Sequence, residues 1–151
     1  DEILGSIRLG LDEARNRRGG VDLIIGPRGS GKTRLASELC TLGAIEGFQI
    51  VQIAIQDQHH GVPGSAITSL TRHLLAADGA LGTDPDALVV LNQITGVASE
   101  LNRPKNVGAE ALLAALIDLL RALAWERPLL LSVDDVDRAD AFSLGILFRA
   151  L

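Results

Sequence analysis

The stretch GPRGSGKT, residues 26–33, decides how this chain is interpreted. It fits the pattern G-x-x-x-x-G-K-[ST], in which glycines allow a tight turn and bring successive backbone N–H groups close to one anion. A helix that begins at the end of this loop adds the partial positive charge of its N-terminus. With glycine at roughly 7% of residues, a chance match in a chain of this size is an event of about 1%. The stretch therefore predicts a phosphate-binding loop.

The side chains of the loop have expected roles. Lys32 is expected to reach the β- and γ-phosphates of a nucleotide and to be catalytic there, and the Thr33 hydroxyl is expected to bind Mg²⁺. Arg28 is expected to point to solvent without a catalytic role. The expected nucleotide-binding residues are Gly26, Pro27, Arg28, Gly29, Ser30, Gly31, Lys32, Thr33 and Arg34. An accidental glycine-rich turn is the alternative, but one of only two lysines in the chain occupies the motif position.

A second motif, LLLSVDD at residues 129–135, is an apolar run that ends in two acids. In a parallel sheet this arrangement places a carboxylate at the carboxyl edge of the strands, where ligands bind. Asp134 is expected to hold Mg²⁺ through a water, and Asp135 to orient or deprotonate the attacking water as a catalytic residue. Acids also follow buried strands at ordinary turns, so this motif alone is a weak signal. Together with the glycine loop it becomes a strong indication of a nucleotide site.

Apolar periodicity predicts helices that alternate with strands. The predicted helices cover residues 3–17, 31–45, 65–77, 86–95, 109–124 and 140 to the end, and the predicted strands cover 21–25, 48–55 and 129–133. Residues 96–108 are expected to form a loop or a small hairpin. The predicted fold class is α/β, with a mostly parallel sheet flanked by helices in one domain over residues 1–151.

Composition excludes several classes of protein. Hydrophobic residues at 47% and charged residues at 22% are typical of a globular chain, and the net charge of −5 argues against a general nucleic-acid surface. The single Cys40 fits a reducing compartment and lies on the apolar side of a predicted helix, which favours a buried thiol. No apolar run reaches the ~18–20 residues of a membrane span, and the first residues lack the basic start of a signal peptide. A soluble, cytoplasmic chain is expected.

The remaining polar candidates are weaker. The histidine pair at 59–60 has no carboxylate or cysteine at metal-ligand spacing, which favours a solvated pair, and His73 is expected at the surface or in packing. Asp137, Arg138 and Asp140 either solvate the start of the last helix or touch the nucleotide site or a neighbouring subunit. The chain has no Asn-Lys-x-Asp segment of the kind GTPases usually carry, so ATP is the expected nucleotide.

The order of these motifs resembles bacterial AAA-type P-loop ATPase domains. The glycine loop is followed by a strand that starts near Gly47, a helical insert and then VDDVDRAD at residues 133–140. The resemblance covers essentially the whole chain. Within this class, the chain is similar to the origin-recognition ATPases and to the related signalling ATPases of large LuxR-type transcription regulators. The regulator group usually has a histidine and a tryptophan after the paired acids, where this chain has Asp137 and Arg138.

The resemblance implies a five-stranded sheet, with a later strand between the strand before the loop and the strand that ends at Asp134. Three strands are legible, so the fold is expected to be truncated, with the later strands, a sensor residue and an arginine finger missing. Another part of a longer chain, or another chain, would then supply them. Asp135 stands where vigorous AAA enzymes commonly have glutamate, and its shorter side chain implies slow turnover.

The leading functional hypothesis is an ATPase module that binds Mg-ATP, hydrolyses it slowly and couples nucleotide state to conformational change. The alternative is a nucleotide-gated switch in a transcriptional or signalling regulator, in which turnover is incidental. A small-molecule kinase is a third hypothesis, without support from a lid-like arginine cluster. The expected partners are ATP, attached domains and, as one option, further copies of the chain, but neither a membrane nor nucleic acid.

Overall fold

The computed structural model describes residues 2–56, 62–96 and 107–151. Its α-helices are α1 (Glu2–Arg15), α2 (Lys32–Ile45), α3 (Ser65–Leu75), α4 (Pro85–Thr95), α5 (Ala109–Glu126) and α6 (Ala141–Ala150). Its strands are β1 (Gln49–Ala54) and β2 (Leu129–Asp134), and short 3-10 turns cover Ala80–Gly82 and Val136–Arg138. The α/β class is confirmed. The histidine pair at 59–60 and most of the predicted loop or hairpin at 96–108 lie outside the described residues.

The two strands pair in parallel, with Gln49 opposite Leu129 and Ala54 opposite Asp134. Parallel neighbours need a long crossover, and here α3, α4 and α5 lie between them in the chain. The ladder continues one residue past β1, where the Ile55 N–H donates to the Asp134 carbonyl at 3.0 Å. The carboxyl ends of both strands therefore meet at one edge of the sheet, and Asp134 is the last strand residue there.

The prediction of a strand at residues 21–25 is wrong. The sheet found in the described residues has two strands, β1 and β2, and neither pairs with this segment. Its apolar side chains are largely exposed, at 55% for Val21, 64% for Leu23 and 83% for Ile25. Branched residues favour extended backbone, but a strand exists only where a neighbour supplies the ladder hydrogen bonds. Residues 21–25 have the composition of a strand, but neither described strand pairs with them.

The main core lies on one face of the sheet, between the strands and helices α3 to α6. Along α5, Leu112, Leu116, Leu119 and Leu123 form a stripe in which no residue is more than 4% exposed. Ile117 and Leu120, elsewhere on the same helix, are only partly buried. Complete burial of each such leucine contributes about 1.5–3 kcal/mol.

Helix α2 covers the opposite face of the sheet. A Cβ added to Gly43 would lie 2.9 Å from Leu130 Cδ2 and 3.2 Å from Ile50 Cδ1, so the helix packs on both strands at close range. Leu39 and Cys40 are also buried here, which confirms the prediction of a buried thiol. Because α2 starts at the end of the glycine loop, this packing fixes the position of the loop against the strand that ends at Asp134.

Candidate phosphate-binding site

The glycine loop has the backbone of an anion cradle. Gly29 and Gly31 have φ values of 78° and 89°, in the left-handed region that other residues rarely adopt. The turn is closed by the Ser30 N–H, which donates to the Pro27 carbonyl at 3.3 Å. Gly31 is also the N-cap residue of α2, so the first N–H groups of a 14-residue helix open toward the loop. The arrangement is typical of loops that bind phosphate.

Lys32 folds back over this loop from the first residue of α2. Its Nζ atom donates to the carbonyl of Gly26 at 2.9 Å and to that of Pro27 at 3.0 Å. These two bonds fix the half-buried side chain across the loop. A cation held in this way has already lost most of its rotamer freedom, so binding an anion costs less conformational entropy.

Thr33 and Asp134 bring the two sequence motifs into contact. The Thr33 hydroxyl donates to Asp134 Oδ2 at 2.7 Å, and the other carboxylate oxygen accepts from the Asp135 N–H at 2.9 Å. Both oxygens of Asp134 are therefore oriented, one by the first turn of α2 and one by the backbone that follows β2. A hydroxyl and a carboxylate that converge in this way offer the oxygen ligands that Mg²⁺ prefers.

Asp135 lies directly beside this contact but has a different environment. Its φ of 54° places a residue other than glycine in the left-handed region. Its carboxylate Oδ2 is 3.6 Å from Arg138 Nε, and the two residues flank a single 3-10 turn. From the sequence, Arg138 was expected either to solvate the start of the last helix or to touch the nucleotide site or a neighbouring subunit, and this pair was not foreseen. The opposite charges at i and i+3 were the signal that could have found it.

Two arginines of the motif turn away from the site. The Arg34 Nε atom donates to Glu38 Oε1 at 2.9 Å on the exposed side of α2. The hydrogen bond to Glu38, together with its negative charge, raises the pKa of Arg34. Arg28 is exposed, as predicted. The Arg34 side chain is thus engaged by its own helix, and its contribution to the loop is the N–H group in the first turn.

Asp140 belongs to a structural network. Its Oδ1 accepts from the Gly64 N–H and from the Ser143 N–H at 2.9 Å each, and its Oδ2 accepts from the Ser143 hydroxyl at 2.6 Å. The Ser143 hydroxyl oxygen in turn accepts from the Ile67 N–H at 3.0 Å. Asp140 therefore caps α6 and ties it to the start of α3. His73 is exposed on α3, with Nδ1 2.8 Å from the Ser69 carbonyl, so of its two predicted positions, at the surface or in packing, it has the surface one.

These features define a glycine loop that opens a helix, with its lysine folded across it and its threonine bonded to a strand-end carboxylate. A family model described as an AAA ATPase domain matches residues 1–151. The chain therefore belongs to the AAA ATPase domain family, and membership supports ATP as the nucleotide that it binds. Neither the comparison with curated proteins nor that with solved structures gave a match. The closer kinship with origin-recognition and LuxR-type ATPases stays a prediction.

Among the helices that the structure describes, none has both the length and the apolar character needed to cross a bilayer.

Proposed function

We propose that this chain binds Mg-ATP at residues 26–34 and Asp134, hydrolyses it slowly, and couples its nucleotide state to conformational change in attached domains. The observation that carries the proposal is the hydrogen bond of 2.7 Å between Thr33 and Asp134. This bond joins the phosphate-binding loop to the carboxylate at the end of β2, a contact that a glycine-rich turn without function would not require. Membership in the AAA ATPase domain family supports the same activity.

Several groups of the proposed site would balance the negative charge of the triphosphate. Backbone N–H groups between Gly29 and Arg34, with the N-terminal dipole of α2, face the phosphate oxygens. Lys32 adds a full positive charge beside the loop. Thr33 and Asp134 would hold Mg²⁺, since their oxygens already converge. Bound there, the metal would neutralise charge on the phosphate oxygens.

Asp135 is the residue proposed to orient the attacking water and to accept its proton. It follows β2 directly and is anchored by its N–H bond to Asp134. Its side chain is one methylene shorter than that of glutamate, so a water must come closer to the backbone to be engaged. Slow turnover follows from this shorter reach.

Calorimetry with Mg-ATP tests the proposal directly. The wild-type protein is expected to bind with measurable heat, and the Lys32→Ala protein to lose at least tenfold in affinity, because one desolvated charge contact is on the order of 1.4 kcal/mol or more. Arg28→Ala is the matched control, because it keeps the backbone of the loop at position 28 and removes only an exposed side chain that is expected to point to solvent. Equal binding by the wild-type and Lys32→Ala proteins would refute the proposal.

A switch in which occupancy alone matters is the second candidate. The feature that favours it is the short side chain of Asp135, which limits how far the acid can reach toward a water. The Asp135→Asn protein separates the two functions. If it binds Mg-ATP and still supports the conformational response of the full protein, occupancy is sufficient. If the response is lost while binding remains, turnover is required.

A further inference from the structure

The turn that follows β2 links a candidate catalytic acid to an arginine. Asp135 is the N-cap residue of the 3-10 turn Val136–Arg138, and the Arg138 N–H donates to the Asp135 carbonyl at 2.9 Å. Residues i and i+3 eclipse each other in a 3-10 turn, so the side chain at 138 lies over the side chain at 135. The ion pair of 3.6 Å between Arg138 Nε and Asp135 Oδ2 follows from this geometry.

The backbone of Asp135 is held in an unfavourable conformation at the same place. A residue with a Cβ atom is uncommon in the left-handed region, and such conformations persist where the surrounding structure enforces them, often at functional sites. Three contacts enforce it here: the Asp135 N–H bond to Asp134, the Arg138 N–H bond and the ion pair. The direction of the Asp135 side chain is thus set by its neighbours.

The side chains of Arg138 and Asp135 differ in their exposure to solvent. The Arg138 side chain is 31% exposed and the Asp135 side chain is 47% exposed. The more buried arginine is the more restrained of the two, and its planar guanidinium offers a fixed row of donors. An exposed pair of this kind contributes little to the stability of the fold. Its main consequence is therefore the orientation of the acid rather than stability.

We infer that Arg138 is a positioning residue for ATP hydrolysis, which fixes the Asp135 carboxylate in the orientation needed to engage the attacking water. The inference rests on the proposed function, and it deepens that function by giving a role to the arginine that is paired with Asp135.

Steady-state kinetics of phosphate release, measured together with Mg-ATP affinity, test this inference. The Arg138→Ala protein is expected to lose on the order of tenfold in kcat, because the acid is no longer oriented. Its KM and its Kd for Mg-ATP are expected to stay within about twofold of the wild-type values, as for a residue that acts only on the chemical step. Arg138→Lys keeps the charge and is expected to recover part of the loss.

Two variants serve as controls. Asp137→Ala removes an exposed side chain from the same turn, and Arg149→Ala removes an ion-paired arginine from α6, where it contacts Glu110 at 2.9 Å. Both are expected to keep the wild-type kcat. In an Asp135→Asn background, Arg138→Ala is expected to have no further effect, since a residue that acts through Asp135 has nothing left to orient.

The outcomes separate this inference from the proposed function. A wild-type protein that binds no Mg-ATP overturns both, and one that binds without turnover overturns the inference while the switch function stands. If the wild-type protein hydrolyses ATP, the inference alone fails on any of three results. The first is an unchanged kcat in Arg138→Ala, and the second is an equal loss of kcat in Asp137→Ala. The third is a loss of kcat in the Asp135→Asn, Arg138→Ala double variant that equals the product of the two single losses.

Discussion

The Thr33 hydroxyl and Asp134 Oδ2 are 2.7 Å apart, although the two residues are separated by 101 positions in the chain. Their meeting does not depend on this bond alone. Gly43, near the end of α2, packs against Leu130, near the start of β2, so the helix and the strand lie side by side. The first turn of the helix is therefore already close to the end of the strand. The exposed bond therefore adds little to stability, and its importance lies in the metal and nucleotide chemistry proposed for the site.

Replacement of Thr33 by alanine is expected to weaken Mg-ATP binding at least tenfold while it lowers the free energy of unfolding by no more than about 1 kcal/mol. The hydroxyl is the group that matters, so Thr33→Ser is expected to bind normally. Calorimetry with Mg²⁺ and again with a chelator makes the test specific, because the loss should be confined to the magnesium-containing samples. Unchanged affinity of Thr33→Ala in magnesium would contradict the assigned role.

Two glycines in helices are expected to respond in opposite ways to alanine. Alanine in place of glycine favours a helix by about 1 kcal/mol, and nothing lies within 4 Å of the added Cβ at Gly145 in α6. At Gly43 the new Cβ would lie 2.9 Å from Leu130 Cδ2, and overpacking of this kind costs about 1–3 kcal/mol. Gly43→Ala should therefore be about 1–3 kcal/mol less stable than Gly145→Ala in denaturant unfolding. Equal stabilities would show that Leu130 moves aside freely.

The contrast between segments 26–33 and 21–25 shows what local sequence can and cannot predict. The glycine loop is specified locally, because positive φ at Gly29 and Gly31 and the helix that follows depend on adjacent residues. The apolar run before it has the composition of a strand, but pairing depends on a neighbour that its own residues do not reveal. Thr33 and Asp134 were expected to lie close together because both were assigned to one Mg²⁺ site, with Asp134 at the carboxyl edge of the strands, where ligands bind.

The roles of the charged residues after β2 were less predictable. Asp140 looked like one member of a charged cluster that could solvate a helix or touch the nucleotide. Its bond to Gly64 depends on how α3 packs against α6, which no local pattern encodes. The pairing of Asp135 with Arg138 depends on the 3-10 turn Val136–Arg138, in a stretch where the sequence predicted no regular element before residue 140.

Exposed apolar side chains at residues 21–25 predict self-association. Val21, Leu23 and Ile25 are each more than half exposed in a segment that pairs with neither described strand, and such surfaces favour contact with other chains. Sedimentation velocity over a range of concentrations should show association of the wild-type protein and a shift toward monomer for Leu23→Asp. Leu81→Asp is the control, because Leu81 is exposed in a different segment. Association that survives Leu23→Asp unchanged would exclude this segment as the contact.

Asp140 is expected to make stability depend on pH. Partial burial alone would raise the pKa of Asp140, but the hydrogen bonds from Gly64 and Ser143 outweigh burial, and the pKa lies below its ordinary value. A carboxyl with a lower pKa in the folded state binds fewer protons there than in the unfolded chain. Its stabilising contribution is therefore complete above the unfolded-state pKa of about 3.9, and it is lost as the pH falls through the folded-state pKa.

The Asp140→Asn variant isolates this contribution, because asparagine keeps the shape and capping ability of the side chain but not its charge. At pH 7 the variant is expected to be less stable than the wild-type protein by about 1 kcal/mol, less than a fully buried charge-assisted hydrogen bond contributes, because Asp140 is only partly buried. The difference should shrink steadily below pH 4, since the protonated wild-type carboxyl then resembles the amide. Asp137→Asn, an exposed position, should change stability little at either pH. A difference for Asp140→Asn that is equal at pH 7 and pH 3, measured by urea unfolding, would mean that the network stabilises α3 and α6 through shape and not through charge.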